Sequence, residues 1–359
     1  MSAENHTSSF AAARLNASTF VITEDDSYGE KPLMYAKIYD DPPALLLSDT
    51  GCNSPSENSK NAQFIRLRDF LEHYPIPDLG EPINPDGRRA YVVIATHCHY
   101  DHIGGISQFR STENNNQQAD VVASNDGAPF VLEDLWEHSL YKDLGLPEPD
   151  YRPSIWAQHK SQLFFDQGSV HAVPHDEIDR VKALGYHDLD ITILNTPGHT
   201  PDELAWYDRK ERHLFVGDSM YYTGGQGPFP GTFAGPIILP KEADLVAYMR
   251  SMREMLQFVV QENACGEAGS ERKLRVGCGH VNSDEDAFEM LDNIIDFLEA
   301  ILEHKIPISK RQTIRGEENW SFVSEVMGRE VGLRAPARLF EEYETRNRPK
   351  HTQQAGTWH

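Results

Sequence analysis

The chain has 359 residues, 39% of them hydrophobic, enough to fill the core of one large domain or two small ones. Lys and Arg number 33 against 56 Asp and Glu, a formal charge of −23, which repels nucleic-acid phosphates and anionic membrane surfaces, so neither is an expected partner. No window reaches the roughly 18 apolar residues of a membrane span, and the opening MSAENHTSSFAAARLNAS has no basic region before an apolar run, so a cytoplasmic location is expected.

The first fifteen residues read as a flexible N-terminus, and residues 16–345, without repeat or linker, as a single catalytic domain. FVITEDDSYG, YAKIYDD and ALLLSDTG carry apolar and β-branched residues between Asp, Gly and Pro clusters, which predicts strands with turns between them. NAQFIRLRDFLEHY spaces Phe64, Ile65, Leu67, Phe70 and Leu71 along one helical face. YVVIAT is a continuous apolar strand of the kind buried on both faces. TENNNQQAD reads as an exposed polar loop. Further strands are expected at LDITILNT, ELAWYD, HLFVGD and LRVGCG, with helices over ADLVAYMRSMREMLQFVVQE and EDAFEMLDNIIDFLEAILEH, a mixture that implies a layered α/β protein. ENWSFVSEVMGREVG is expected to cover those layers or mediate self-association, which leaves a homo-oligomer open, and residues 346–359 read as a flexible tail. Cys52, Cys98, Cys265 and Cys278 are scattered without CxxC spacing, which indicates reduced thiols rather than a disulfide framework or a thiolate metal site.

The strand YVVIAT runs into IATHCHYDHIGG, which sets His97, His99, Asp101 and His102 within six residues. A rigid sheet aims the side chains at its strand ends and in the following loops. Neutral imidazoles mixed with carboxylates suit zinc, iron or manganese better than calcium. His97 and His99 point the same way in an extended segment, while Asp101 and His102 follow a turn that Gly104 and Gly105 allow. Three later strand ends also bear ligand-type residues: His199 in TPGHTPDELAWY, Asp218 in FVGDSM and His280 in VGCGH. Alone, each is an ordinary turn or capping residue.

Together these segments resemble the metallo-β-lactamase superfamily, whose pattern is HxHxDH followed by a later His, an Asp and a last His. The resemblance extends from SDTG at Asp49 to CGH at His280. It implies an αββα sandwich with the metals at one edge between the sheets, here with a long helical insertion at about 106–190 serving as a substrate lid, and C-terminal helices. By the same resemblance His97, His99 and His199 hold one metal; Asp101, His102 and His280 hold the other; Asp218 bridges them; and Asp49 supports the site from behind. The expected cofactor is two Zn²⁺ ions, with iron or manganese also admitted by these ligands.

Such a site hydrolyses carbonyl compounds by attack of a hydroxide shared between the metals, one cation polarising the carbonyl and the other holding the leaving heteroatom. Asp101 can pass a proton to the leaving group. Tyr221, three residues after Asp218, stands where acyl-homoserine lactonases carry a Tyr and can donate to the substrate carbonyl; it can equally pack beneath the loop. Zinc β-lactamases usually have Cys where this chain has Asp218, and the oxygen-reducing branch carries Glu where this chain has His99. No basic residues near the C-terminus stand out as a glutathione site. The expected activity is opening of a small-molecule lactone or lactam, with a thioesterase (acyl-carrier, coenzyme A or glyoxalase II-like) as the alternative and an iron-dependent redox enzyme disfavoured. Trp136, Tyr151, Trp156, Phe164 and Phe165 of the insertion, and the loop YYTGGQGPFPGTFAGPIILP, are the expected pocket walls, while His171, His175 and His187 read as solvent-facing.

Overall fold

A computed structural model describes residues 7–110, 118–224, 227–229, 231, 235–265 and 273–347. The first sheet has seven strands in sequential order: β1 (Phe10–Arg14), β2 (Thr19–Glu24), β3 (Leu33–Tyr39), β4 (Ala44–Ser48), β5 (Ala90–Ile94), β6 (Asp120–Ser124) and β7 (Ile155–Ala157). The second contains β8 (Gln162–Asp166), β9 (Ser169–Val173), β10 (His187–Asn195), β11 (Leu204–Asp208) and β12 (His213–Phe215), then, past the short β13 (Ile237–Ile238), β14 (Arg275–Gly277) and β15 (Glu285–Asp286), in the order β15-β14-β12-β11-β10-β8-β9.

Period-two alternation explains why these sheets pack face to face. In β4, Ala44 and Leu46 join Val92 and Ile94 of β5 in a core shared with Ile191, Ile193, Leu204, Trp206 and Phe215 of the second sheet. Leu45 and Leu47 turn the other way, onto Leu67, Phe70 and Leu71 of helix α1 (Leu67–His73). The outer face of the second sheet packs on two long helices, and this gives the αββα layering. Between the sheets Trp206 stacks on Phe215 at 4.0 Å, and its indole N–H donates to Ser48 Oγ at 3.0 Å, so the buried polar tip is satisfied. Lys37 of β3 reaches Asp208 of β11 at 2.7 Å, both almost fully buried.

Two expectations are corrected. Residues Phe10–Arg14 form the edge strand β1 rather than a flexible end, because Phe10 packs on Phe70 at 5.5 Å. The stretch 106–190 is not a helical lid: it supplies β6–β9 to both sheets, joined by the short helices α3 (Ala128–Glu133) and α4 (Leu135–His138) and followed by α5 (Ile178–Ala183); α2 (Tyr100–Ile103) precedes it. Its β-branched and aromatic strands VVAS and QLFFD fit a pleated core better than a helix. After the helices α6 (Leu245–Cys265) and α7 (Ala287–Leu302) come β16 (Lys310–Ile314), β17 (Glu317–Val326) and β18 (Arg329–Pro336), which join the earlier β13 in a third sheet, not foreseen, and then α8 (Ala337–Asn347). The TENNNQQAD loop and the tail lie mostly outside the described residues. All four thiols are free, with Cys265 exposed and the others buried. Among the described residues no helix is long and apolar enough to cross a membrane.

Candidate metal centre

Four strand ends converge at one edge of the sandwich. β5 delivers His97 and His99 in the loop beyond Ile94, and α2, directly after that loop, carries Asp101 and His102. His199 follows β10, Asp218 follows β12 and His280 follows β14. Gly104 is needed here for close approach rather than for its backbone angle: its φ is −56°, and a Cβ would stand 2.4 Å from the Cys52 carbonyl oxygen. Gly279 likewise admits Asp218, whose Oδ1 would lie 2.4 Å from a Cβ at that position.

The seven expected ligands fall into two groups, His97, His99 and His199 in one and Asp101, His102, Asp218 and His280 in the other; within each group the ligand atoms lie within 4.8 Å of one another. In the first, His99 Nδ1 is 2.9 Å from His97 Nε2 and 3.2 Å from His199 Nε2. In the second, Asp101 Oδ2 is 3.4 Å from His102 Nε2 and 3.3 Å from His280 Nε2. Asp218 stands between the groups: Oδ1 is 3.3 Å from His102 and 3.5 Å from His280, and Oδ2 is 3.9 Å from His199. One carboxylate thus offers an oxygen to each side.

Outer partners fix which ring nitrogen faces inward. His199 Nδ1 lies 2.9 Å from the Ile238 carbonyl and His280 Nδ1 2.9 Å from that of Glu30. A carbonyl only accepts, so each Nδ1 carries the proton and each Nε2 faces the centre. His102 Nδ1 lies 3.0 Å from Asp49 Oδ2, and Asp49 also accepts from the Thr96 amide at 2.8 Å. Asp49 thus meets the His102 ring on the side away from the ligand cluster. Glu203 was not foreseen. Fully buried, it accepts from the Asp218 amide at 2.9 Å and stands 3.7 Å from His97 Nδ1; the only trace in the sequence is an acidic residue opening the buried strand LAWY.

The two groups differ electrostatically. Burial, helped by the neighbouring imidazoles, holds His97 well below the usual histidine range, His99 at about 3 and His199 low as well, so these rings are neutral and present lone pairs. Burial also opposes charge on His102 and His280, but the carboxylates beside them prevail, lifting His102 far up and His280 to about 10. Against their own burial, Asp101 and Asp218 are held well below the carboxylate range by the same histidines. Burial pushes the Glu203 carboxyl up. The donor set fits a pair of cations: three neutral nitrogens converge where hydrogen bonds can satisfy at most some of them, beside a carboxylate pair that draws in positive charge.

A cavity of about 230 Å³ opens onto His99, Asp101, His199, Asp218 and His280. Tyr221 lines it, with its hydroxyl donating to the Pro236 carbonyl at 3.1 Å. From the second expected wall, Ile238, Leu239 and Pro240 are present as well, whereas residues 225, 226, 230 and 232–234 fall outside the described residues. None of Trp136, Tyr151, Trp156, Phe164 and Phe165 lines it: Tyr151, Phe164 and Phe165 are buried in hydrophobic cores, because their segment completes the sheets. Among the described residues of 106–190, Leu140 is the one that lines the cavity. The far wall is the third sheet, including Arg315 and Arg334, so the C-terminal region does bring basic residues to the site. His171, His175 and His187 are exposed, as expected.

Residues 86–260 match the family model described as the metallo-beta-lactamase superfamily. A protein of Aspergillus versicolor named "Putative transcription factor avaE" is 28% identical over 93% of this chain and 88% of its own length. The human acyl-coenzyme A thioesterase MBLAC2 is 26% identical over 37% of this chain and 43% of its own, and the hydroxyacylglutathione hydrolase GloC of Haemophilus influenzae 27% over 39% and 54%. The chain therefore spans about half the length of these two enzymes. Among solved structures, a metallo-beta-lactamase family protein from Thermus thermophilus aligns over 84% of this chain and 86% of its own at a TM-score of 0.47 and 15% identity.

Proposed function

The chain belongs to the metallo-β-lactamase superfamily, and from that premise we propose that it is a dinuclear metal-dependent hydrolase of small carboxylic thioesters or esters. The observation that carries this reading is Asp218, placed with one oxygen toward each of two complete ligand groups. His97, His99 and His199 would hold one cation, and Asp101, His102 and His280 the other, with zinc the ion best suited to the set and iron or manganese also accepted. Cations held there would acidify a water and polarise the substrate carbonyl.

This chain's own residues do the rest. Outer partners at Asp49, Glu203, Glu30 and Ile238 keep the ligand side chains aimed before substrate arrives, so little reorganisation is required. Asp101, on the cavity wall, takes the water proton on a carboxylate oxygen and returns it to the departing sulfur or oxygen. The water oxygen bonds to the acyl carbon, the carbon–sulfur or carbon–oxygen bond breaks, and an acid and a thiol or alcohol leave. The Tyr221 ring forms part of the wall beside His280. Thioesters are favoured over rings because two of the relatives carry thioesterase or hydroxyacylglutathione hydrolase names; lactone or lactam opening uses the same nucleophile but draws no support from them. A DNA-binding role, after the name of the Aspergillus relative, is opposed by the charge of −23.

The test is a panel of an acyl thioester, a γ-lactone and a β-lactam offered to the zinc-loaded protein. Thioester turnover is expected, and Asp218→Ala should reduce it about 10³-fold or more, equivalent to several kcal/mol of lost transition-state stabilisation, with circular dichroism unchanged. Zinc-loaded protein inert toward every member would contradict the proposal.

A further inference from the structure

Three cationic side chains line the cavity: Lys241, Arg315 and Arg334. Lys241 is held by Glu137 and, at 3.5 Å, by Glu242; Arg315 is paired with Asp143. Among the described residues Arg334 alone of the three has no ion pair and no side-chain hydrogen bond. The carboxylates of the same cavity are engaged elsewhere. Glu30 accepts from the Tyr100 hydroxyl, Glu317 pairs with Arg338 at 2.7 Å, and Asp101 and Asp218 belong to the ligand cluster. Arg334 feels Glu30 and Tyr221 favourably and Arg315 unfavourably, while burial lowers its pKa.

A half-buried guanidinium without an anion forgoes the contact its planar fork is shaped to make. Its position is held firmly: Arg334 lies in β18, where it pairs with Ser321 of β17 and Ile238 of β13. Ile238 is also the residue whose carbonyl orients His199, so one short strand joins the ligand cluster to the arginine. β18 lies beyond the matched residues 86–260, so this charge is not part of the domain shared through that match.

We propose that the substrate carries a carboxylate, and that Arg334 receives it while the reacting carbonyl lies at the ligand cluster of the same cavity. This rests on the hydrolase reading above. Arg334 is then a specificity-determining residue that binds a group remote from the scissile bond. The carboxylate can belong to the acyl part or to the thiol part of a thioester, and the chemistry recognised is the same.

Three thioesters separate these cases: S-succinyl-N-acetylcysteamine, charged on the acyl side; S-butyryl-3-mercaptopropionate, charged on the thiol side; and neutral S-(4-methylpentanoyl)-N-acetylcysteamine, in which an isopropyl group replaces the acyl-side carboxylate. The zinc-loaded protein should prefer one charged substrate. Arg334→Met should raise KM for it about 10- to 100-fold, leave kcat nearly unchanged and leave the neutral thioester's kinetics intact, which also reports a preserved fold. Arg334→Lys should recover part of the loss. Succinate titrated calorimetrically gives a readout without turnover: Arg334-dependent binding in a protein that hydrolyses nothing supports the anion site and contradicts the hydrolase reading alone. Turnover of all three thioesters with equal KM, or a charged preference that survives Arg334→Met, overturns the proposal.

Discussion

At His102 two strong influences oppose each other. Burial disfavours a charged ring, yet Asp101, Asp218 and Asp49 surround it and their combined field prevails. Asp49 has the clearest orienting role, since it faces Nδ1 and leaves Nε2 for the centre. Asp49→Ala is expected to weaken binding of the second cation about 10- to 100-fold, read by competition with a chromophoric chelator; unchanged affinity would mean the ring is held by packing alone. The seven ligand positions and Asp49 were legible in the sequence because short motifs at strand ends preserve their chemistry in linear form. Glu203 and Arg334 were not: Glu203, four residues after His199, looks like an ordinary polar residue before a strand, Arg334 lies in no motif, and each acquires its role only when distant strands meet. The sequence offers Tyr221 as a donor to the substrate carbonyl or as packing beneath its loop; in the fold it lines the cavity and its hydroxyl donates to the Pro236 carbonyl, fifteen residues further along the chain.

Between elements, the Lys37–Asp208 pair ties β3 to β11 across the inter-sheet core, with Lys37 also donating to Ser18 Oγ at 2.8 Å and Asp208 accepting two amides at 3.0 Å. Removing one partner strands a buried charge, so Lys37→Met should destabilise the fold by about 3–5 kcal/mol in denaturant titration, and Lys37→Met/Asp208→Leu should regain much of it. A single variant of wild-type stability would show that water reaches the pair. Strands with continuous or alternating apolar residues were readable, as was the α6 and α7 periodicity. The segment 106–190 was misread because its aromatics suggest a pocket wall as readily as a sheet core. The C-terminal sheet had a signal that went unused: Trp320 and Phe322 alternate inward, and Met327-Gly328, at φ of 50° and 77°, makes the two-residue turn between β17 and β18. A similar turn at Arg315-Gly316 joins β16 to β17 and brings Arg315 to the cavity.

For the molecule as a whole, two sheets and their flanking helices hold the ligand cluster at one edge, and a third sheet closes the cavity over it. Layering of this kind was expected from the mix of strand and helix patterns, whereas the closure depends on pairing β13 with β18 across almost a hundred residues, which no local pattern announces. The central claim is that this edge holds two metal ions. Elemental analysis of zinc-reconstituted, desalted protein tests it most directly. About two zinc ions per chain are predicted, falling to about one in His199→Ala and in His280→Ala, each of which breaks one group and spares the other. One ion or none in the folded wild-type chain would contradict the account.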